Sequence, residues 1–200
     1  MPRPRNVPGQ KGSAARLRAA ALEVFNAVGI NAASIHDICA RAQVSIGSAY
    51  HHFGSKQGLA DALLAEGLRD NTRALKARLD RARGPESGIR ALVESLIDWV
   101  EANPEWARFI YFVAGARPRD GNDDPLHEVN AGYLTMIDDY FGPHLKSGAL
   151  RPLPRDVYAS LVLGPVHDYA RRALNGQARG KLSRHKEFFA DAAWQSVRGR

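Results

Sequence analysis

The chain has 200 residues, 44% of them hydrophobic, which is enough to bury the core of one large domain or two small ones. Its single cysteine, Cys39, excludes an intramolecular disulfide framework and a zinc site built from several cysteines, so we expect a reducing compartment. The formal net charge is +7, and we find neither an apolar targeting segment nor a run of about 18 uncharged apolar residues. These bounds predict a cytoplasmic protein without a membrane span.

The positive charge is concentrated at the start of the chain. Residues 1–60 contain seven lysines and arginines against two acidic residues, whereas the other 140 residues carry 21 basic and 19 acidic side chains. A basic first third is typical of a region that contacts a polyanion, although a solvated basic tail would give the same composition.

The first helices can be placed from their apolar spacing and their caps. Residues 1–11 are rich in proline and basic side chains and predict a flexible basic arm. The stripe from Leu17 to Val28 has helical spacing and stops at Gly29, which predicts a first helix of about four turns. Ser34 is placed to cap a short second helix that ends near Ala42.

Two more capped helices follow closely. Ser45 lies about three residues after the second helix and can cap a third, which Phe53 and Gly54 close. Ser55 can cap a fourth helix that runs past Leu79. The remaining stripes predict helices near 89–100, 104–113, 125–146, 154–175 and 182–198, with Gly164-Pro165 kinking the next to last. No segment alternates as a strand, so the fold class is all-α with about nine helices.

The second and third helices match a helix-turn-helix, in which the second of the two enters the DNA major groove. A groove-reading helix needs short side chains where the backbone comes close and hydrogen-bond donors where phosphates pass. The third helix is short of aliphatic residues and rich in such groups, with Ala49 and Phe53 spaced to face its own core. An ordinary serine-rich surface helix is the alternative interpretation.

At these residues the sequence resembles the N-terminal domain of TetR-family transcriptional regulators. The resemblance covers roughly residues 12–66 and is carried by the run SIHDICARAQVSIGSAYHHFGSK, preceded by RLRAAALEVFNAVGI. It implies a homodimer in which residues 12–58 form a helix-turn-helix domain that binds a palindromic double-stranded DNA operator. Residues 59–200 would then form a helical ligand-binding and dimerisation domain.

The resemblance also implies which residues face DNA. Those expected on base edges are Ser45, Ile46, Gly47, Ser48 and His52, and those expected on phosphates are Tyr50, His51 and Lys56. Ser34 is a further expected DNA contact, with Arg3, Arg5 and Lys11 as contacts from the arm. Two departures from the family pattern affect the angle of the third helix. Gln43 stands where the family usually has glycine in the turn, and Ala49 replaces a larger aliphatic residue.

The second half carries no comparable motif, so its sites are predicted from composition. Ligand sites are mainly apolar with a few directing polar groups. The predicted pocket residues are Trp99, Trp106, Phe109, Phe112, Asn130, Tyr133, Met136, Tyr140 and His167. The predicted dimer interface on the last two helices comprises Leu161, Val162, Val166, Tyr169, Ala173, Phe188, Phe189, Ala192 and Trp194. A purely intramolecular core would use the same apolar residues.

The predicted function is a ligand-responsive transcriptional regulator, most simply a repressor that a small apolar or aromatic molecule releases from its operator. The sequence does not decide between repressor and activator. A sequence-neutral nucleoid-type DNA-binding protein is the alternative. We find no catalytic motif and no metal-ligand spacing, so we expect neither an enzyme nor a cofactor.

Overall fold

The computed structural model describes residues 8–114, 126–178 and 180–199, and every regular element in these ranges is a helix. Ten α-helices are present there, against about nine predicted, and the all-α class is confirmed. The chain divides into two compact units. The first contains the residues up to Gly67 and those from Glu105 through a π-helix, and the second contains the rest of the described chain. The predicted boundary at residue 58 lies inside the first unit.

The first unit is built from three complete α-helices, parts of two others and one π-helix. Its elements are α1 (Pro8–Ala32), α2 (Ile35–Ala42), α3 (Ile46–Phe53), the start of α4 (Lys56–Leu79), α6 (Pro104–Arg108) and the π-helix Phe109–Ala114. Gly29 has a φ of 78° and interrupts α1 where the sequence predicted its end. The chain then returns to helical geometry for one more turn, so α1 ends three residues later than predicted.

Serine caps fix where these helices begin. The Ser34 hydroxyl accepts a hydrogen bond from the His36 backbone N–H at 3.1 Å, and the Ser45 hydroxyl accepts one from Ser48 at 3.2 Å. Ser55 does the same for Gly58 at 2.9 Å. Each cap satisfies one of the backbone donors that a helix N-terminus leaves without a partner.

The turn between α2 and α3 is closed by a residue in the left-handed region. Gln43 has φ 52° and ψ 48°, and its backbone N–H donates to the carbonyl of Ala40. The N–H of Val44 donates to the carbonyl of Cys39 at 3.0 Å. This pair of bonds is a Schellman motif with glutamine in the place that glycine usually takes.

The core of the first unit centres on two phenylalanines. Phe25 of α1 and Phe109 of the π-helix are both fully buried, and their rings stack with centroids 6.0 Å apart. Leu17, Ala21 and Ile38 complete the centre of this core. The structure therefore corrects the prediction that Phe109 lines a ligand pocket, since its ring is used to pack the first unit.

The second unit contains the remaining helices. They are the end of α4, α5 (Pro85–Ala102), α7 (His127–Lys146), α8 (Arg155–Val162), α9 (Gly164–Leu174), a 3₁₀ turn Leu182–His185 and α10 (Lys186–Val197). The helix predicted over 154–175 is two helices, because α8 ends before Leu163 and Pro165 lies in the first turn of α9. The predicted kink at Gly164-Pro165 thus appears as a break between α8 and α9.

Charged side chains join three helices of the second unit. Asp98 on α5 pairs with both Arg78 on α4 and Lys186 on α10. Arg90 on α5 pairs with Asp191 on α10. These pairs run along the edge of an apolar interior in which Val93 and Ile97 of α5 are fully buried.

Candidate DNA-binding surface and ligand cavity

One side of α3 is open to solvent and carries no large aliphatic side chain. Ser45, Gly47, Tyr50 and His51 are exposed, while Ala49 is 2% exposed and faces the core. Gly47, Tyr50 and His51 are spaced i, i+3 and i+4 and therefore share one helical face, while Ser45 is the N-cap that precedes the helix. Ile46 and Ser48 are half-buried at the start of the helix. This surface has the short, polar and aromatic groups that a groove-reading helix requires.

The side chains of two residues predicted to contact DNA bond to α1 or to the residue just after it. His52 is half-buried, and its Nε2 lies 2.9 Å from the hydroxyl oxygen of Ser13 on α1. Lys56 donates from its ammonium to the carbonyls of Asn31 and Ala33, at 2.9 and 2.7 Å. His52 therefore orients α3 against α1, and Lys56 satisfies carbonyls at the C-terminal end of α1.

The other predicted DNA contacts lie at or beyond the edges of this surface. Ser34 is half-buried, and its hydroxyl caps α2 by accepting the hydrogen bond from His36. Arg3 and Arg5 fall outside the described residues. Lys11 lies in α1, but its side chain is outside the described part.

A cavity of about 230 Å³ lies among α5, α7 and α8 of the second unit. Most of its lining side chains are leucine, isoleucine or valine, with Tyr133, Phe141 and Tyr158 as the aromatic ones. The charged residues of its lining, Asp138 and Arg155, form an ion pair with each other. We call this cavity the apolar lobe.

A second cavity of about 320 Å³ adjoins the first and is lined by residues of α4, α5, α7, α8 and α9 together with Leu163. The two cavities share the lining residues Leu92, Tyr133, Ala159 and Leu163. The second contains the polar residues Asn71, Thr72, Ser95, Asn130 and His167 in addition to Tyr133, and we call it the polar lobe. Ligand pockets usually enclose a few hundred Å³ or more, and the two lobes together reach that range.

The titratable groups of the polar lobe are held in their neutral forms. Burial lowers the pKa of His167 to about 4, and the positive charge of Arg171 contributes in the same direction. Burial raises the pKa of the Tyr133 phenol. Both side chains are therefore uncharged near neutral pH.

Three of the nine predicted pocket residues line the polar lobe, namely Asn130, Tyr133 and His167. The other six are used elsewhere. Trp99 is buried and donates from Nε1 to the Asp70 carboxylate at 2.9 Å, and the Tyr140 hydroxyl donates to the Gly84 carbonyl at 3.0 Å. Met136 lines neither lobe.

Trp106, Phe109 and Phe112 belong to the first unit and line neither lobe. Ser95 also lines the polar lobe, although it was not among the predicted pocket residues. A signal was available, because Ser95 interrupts the apolar stripe of α5 between Leu92 and Leu96.

The residues predicted to form the dimer interface fall into two groups. Val162 and Val166 are 4% and 1% exposed, so they pack inside the second unit and leave no surface for a partner. Phe188 is 74% exposed and Leu161 is 37% exposed. Ala192 is exposed, and Tyr169, Ala173, Phe189 and Trp194 are half-buried. The rings of Tyr169, Phe188 and Phe189 form a chain of contacts on α9 and α10.

Two further observations concern the described part of the chain. Within residues 8–114, 126–178 and 180–199, no three histidine, cysteine or acidic side chains come together as metal ligands would. No helix in those ranges combines the length and apolar character needed to cross a membrane.

Comparison with known proteins places this chain among bacterial regulators. Residues 17–63 match the family model described as "Bacterial regulatory proteins, tetR family". The HTH-type transcriptional regulator UidR of Escherichia coli (strain K12) is 39% identical over 85 residues, which are 41% of this chain and 40% of UidR. The HTH-type transcriptional regulator BetI of Burkholderia cenocepacia (strain HI2424) is 34% identical over 181 residues, covering 78% of this chain and 90% of BetI.

A solved structure shows the same fold over most of the chain. The TetR family transcription regulator from Marinobacter aquaeolei VT8 superimposes with a TM-score of 0.79 at 19% identity, over 95% of this chain and 97% of that one. The match to UidR spans less than half of that relative, whereas the match to BetI spans most of both proteins. With a helix-turn-helix in its first unit, this chain belongs to the TetR family of bacterial transcriptional regulators.

Proposed function

We propose that the protein is a homodimeric repressor that binds a palindromic operator through α3 and is released by a small, largely apolar ligand. The observation that carries the DNA-binding part is the solvent-facing side of α3. Ser45, Gly47, Tyr50 and His51 present small, hydroxyl and imidazole groups there, and the Schellman turn at Gln43 fixes the start of the helix. Such a surface suits a major groove better than a protein core.

The exposed aromatic cluster on α9 and α10 supports the homodimer. Phe188 is 74% exposed, and burying a phenylalanine side chain contributes about 1.5–3 kcal/mol. In a two-fold symmetric dimer each such contact occurs twice, because the same surface meets itself. Val162 and Val166 are left out of this proposed interface, since they are buried in their own subunit.

Ligand release would act as a population shift. A ligand that binds one arrangement of the dimer more tightly than another weakens operator binding by its difference in affinity for the two. Successive major-groove faces are about 34 Å apart, so only one spacing of the two α3 helices suits the operator. Helix α4 contributes Lys56 to the first unit, and Leu68, Asn71, Thr72 and Leu75 to the lining of the polar lobe. It is the element through which we expect the ligand to act.

The test is operator binding with a matched pair of charge variants. Gly47 in α3 and Gly132 in α7 are both helical glycines where an added Cβ meets nothing within 4 Å. Gly47→Glu adds a negative charge and bulk to the proposed groove-facing surface, and Gly132→Glu adds the same group to α7. Fluorescence anisotropy would follow binding to a labelled duplex from upstream of the gene, with a scrambled duplex as reference, at about physiological salt.

The proposal predicts sequence-selective binding by about 10³-fold or more and dimer stoichiometry. Gly47→Glu should reduce operator affinity at least roughly 100-fold, because its bulk keeps α3 from approaching the groove closely and its charge repels phosphates. Gly132→Glu should change it by no more than about two-fold, because Gly132 belongs to the second unit and not to the helix-turn-helix. Equal, weak binding to both duplexes would favour the nucleoid-type alternative, for which the relatives of this chain offer no support.

A further inference from the structure

A buried hydroxyl in the second unit lacks a hydrogen bond. Ser95 lies in the middle of α5 with 2% of its surface exposed, and its Oγ has no partner among the described residues. A serine inside a helix usually bonds back to the carbonyl four residues earlier, as Ser160 of α8 does with Asp156 at 2.9 Å. Buried hydroxyls in folded proteins are nearly always paired, so an unpaired one that lines a cavity indicates a missing partner.

The neighbours of Ser95 in the polar lobe are polar but uncharged. Among the residues that the structure describes, no lysine, arginine, aspartate or glutamate lines this lobe. Thr72 uses its hydroxyl to donate to the Leu68 carbonyl at 2.8 Å, while the amide of Asn130 lies in the lining. His167 stays neutral near pH 7 because burial and Arg171 disfavour its protonated form. The lobe can exchange hydrogen bonds with a ligand but offers no charge to balance an ion.

The adjoining apolar lobe is suited to a hydrocarbon. Its lining is mainly leucine, isoleucine and valine, and its one arginine, Arg155, is already paired with Asp138. The two lobes meet at Tyr133 and Leu163. A molecule that fills both lobes would therefore carry its polar group at one end and aliphatic carbon at the other.

We propose that the ligand of this cavity is a neutral aliphatic molecule, of the alcohol or ketone class, whose oxygen bonds to Ser95 in the polar lobe while its hydrocarbon part occupies the apolar lobe. This inference rests on the proposed function of the cavity as the effector site and names the effector's chemistry. A carboxylate or an ammonium group would lose its hydration and find no opposite charge in the polar lobe, and in the apolar lobe only the charges of Asp138 and Arg155, which are paired with each other. Charged ligands are therefore disfavoured.

A basic groove next to the polar lobe offers an alternative site, in which a ligand with an anionic group could bind. It is lined by Arg69, Arg73 and Lys76 together with Glu128, and it shares Tyr133 with both lobes. Arg73 is paired with Asp70 and Lys76 with Asp80, each at 2.8 Å, so much of this positive charge is already neutralised. A ligand with an anionic head in this groove would bind as a carboxylate and would not need Ser95.

The test compares three C8 compounds on the free protein, without DNA. Octan-1-ol, 1-fluorooctane and octanoate have similar chains and differ in the end group, which is a hydroxyl, a fluorine that cannot donate, or a charge. Each would displace the neutral fluorescent probe N-phenyl-1-naphthylamine at pH 8. The proteins are the wild type, Ser95→Ala and the control Ser160→Ala, whose serine is exposed on α8. Thermal unfolding of each variant checks that it is folded.

The expected result is that octan-1-ol binds the wild type about ten-fold more tightly than 1-fluorooctane, and octanoate more weakly than octan-1-ol. Ser95→Ala should remove most of the preference for the alcohol and leave 1-fluorooctane unchanged, while Ser160→Ala keeps the preference. The proposal would be overturned if octan-1-ol and 1-fluorooctane bound with equal affinity, if octanoate bound most tightly, or if none of the three compounds displaced the probe. Operator binding is measured in a separate experiment. Failure to bind the operator would reject the repressor function, whereas the ligand preference is judged from the displacement assay alone.

Discussion

Replacing Gln43 with glycine should stabilise the protein, although it removes a side chain. Gln43 is the one non-glycine residue with positive φ in the described chain, at φ 52° and ψ 48°, and it is exposed. An L-residue in this region is disfavoured by roughly 1–2 kcal/mol, because its Cβ approaches the following carbonyl. Glycine avoids that contact, but its greater freedom in the unfolded chain offsets about 0.5–1 kcal/mol.

The net expectation for Gln43→Gly is a gain of about 1 kcal/mol in the free energy of unfolding, or roughly 2–4 °C in Tm. The control is Ala19→Gly at an exposed position in the middle of α1. There the backbone is right-handed, so glycine should cost about 1 kcal/mol. Both variants would be measured by urea unfolding followed by circular dichroism, and opposite signs are expected.

The same pair tests whether the turn is already in its DNA-binding geometry. Because glycine would occupy the φ and ψ that Gln43 has, α3 should keep its direction and operator affinity should stay within about two-fold. If Gln43→Gly destabilises the protein as much as Ala19→Gly does, Gln43 does not adopt the left-handed conformation. If it stabilises but changes operator affinity strongly, the Gln43 side chain contributes to DNA contact.

Two further predictions concern the second unit. The pKa of His167 is about 4 when folded and 6.5 normally, so the unfolded chain binds more protons between these values, and stability falls as pH drops from about 6.5 to 4. Relative to wild type, His167→Gln should therefore gain up to roughly 3 kcal/mol over that range in urea unfolding, and a difference that is independent of pH would contradict the shift. Gly88→Ala should lose about 1–3 kcal/mol, because the new Cβ would overlap the ring of Tyr140, whose hydroxyl is held by the Gly84 carbonyl. Gly132→Ala, with open space around it, should gain up to about 1 kcal/mol by the same measurement, and equal effects at the two glycines would refute the packing argument.

Local signals in the sequence were sufficient for most of the helices. Ser34, Ser45 and Ser55 were predicted as caps and all three accept the expected backbone hydrogen bond. A cap acts within about four residues, so its chemistry is complete in the sequence itself. The break near Pro165 was predictable for the same reason, because proline acts on its own turn of helix.

The cavity was only partly predictable, because its lining comes from five helices. Asn130 was found as a polar residue on an apolar stripe, and the same criterion applied to α5 would have found Ser95. The aromatic criterion selected Trp99 and Phe109, which are buried against Asp70 and Phe25 instead. A large aromatic side chain suits a core as well as a pocket, and its sequence neighbours do not distinguish the two.

What the sequence by itself determined is the family, the helical fold and the exposed side of α3, since each depends on spacing within one or two helices. Only the tertiary structure decided which polar side chains remain available to contact DNA or a ligand. His52 and Lys56 have partners 39 and 23 or more residues away, on α1 and just after it, and these remove both from the set of free DNA contacts. The pairing of Asp138 with Arg155, and the unpaired hydroxyl of Ser95, likewise depend on helices that meet only in the folded chain. A hydrogen bond or ion pair between distant residues is a property of packing, which no local pattern contains.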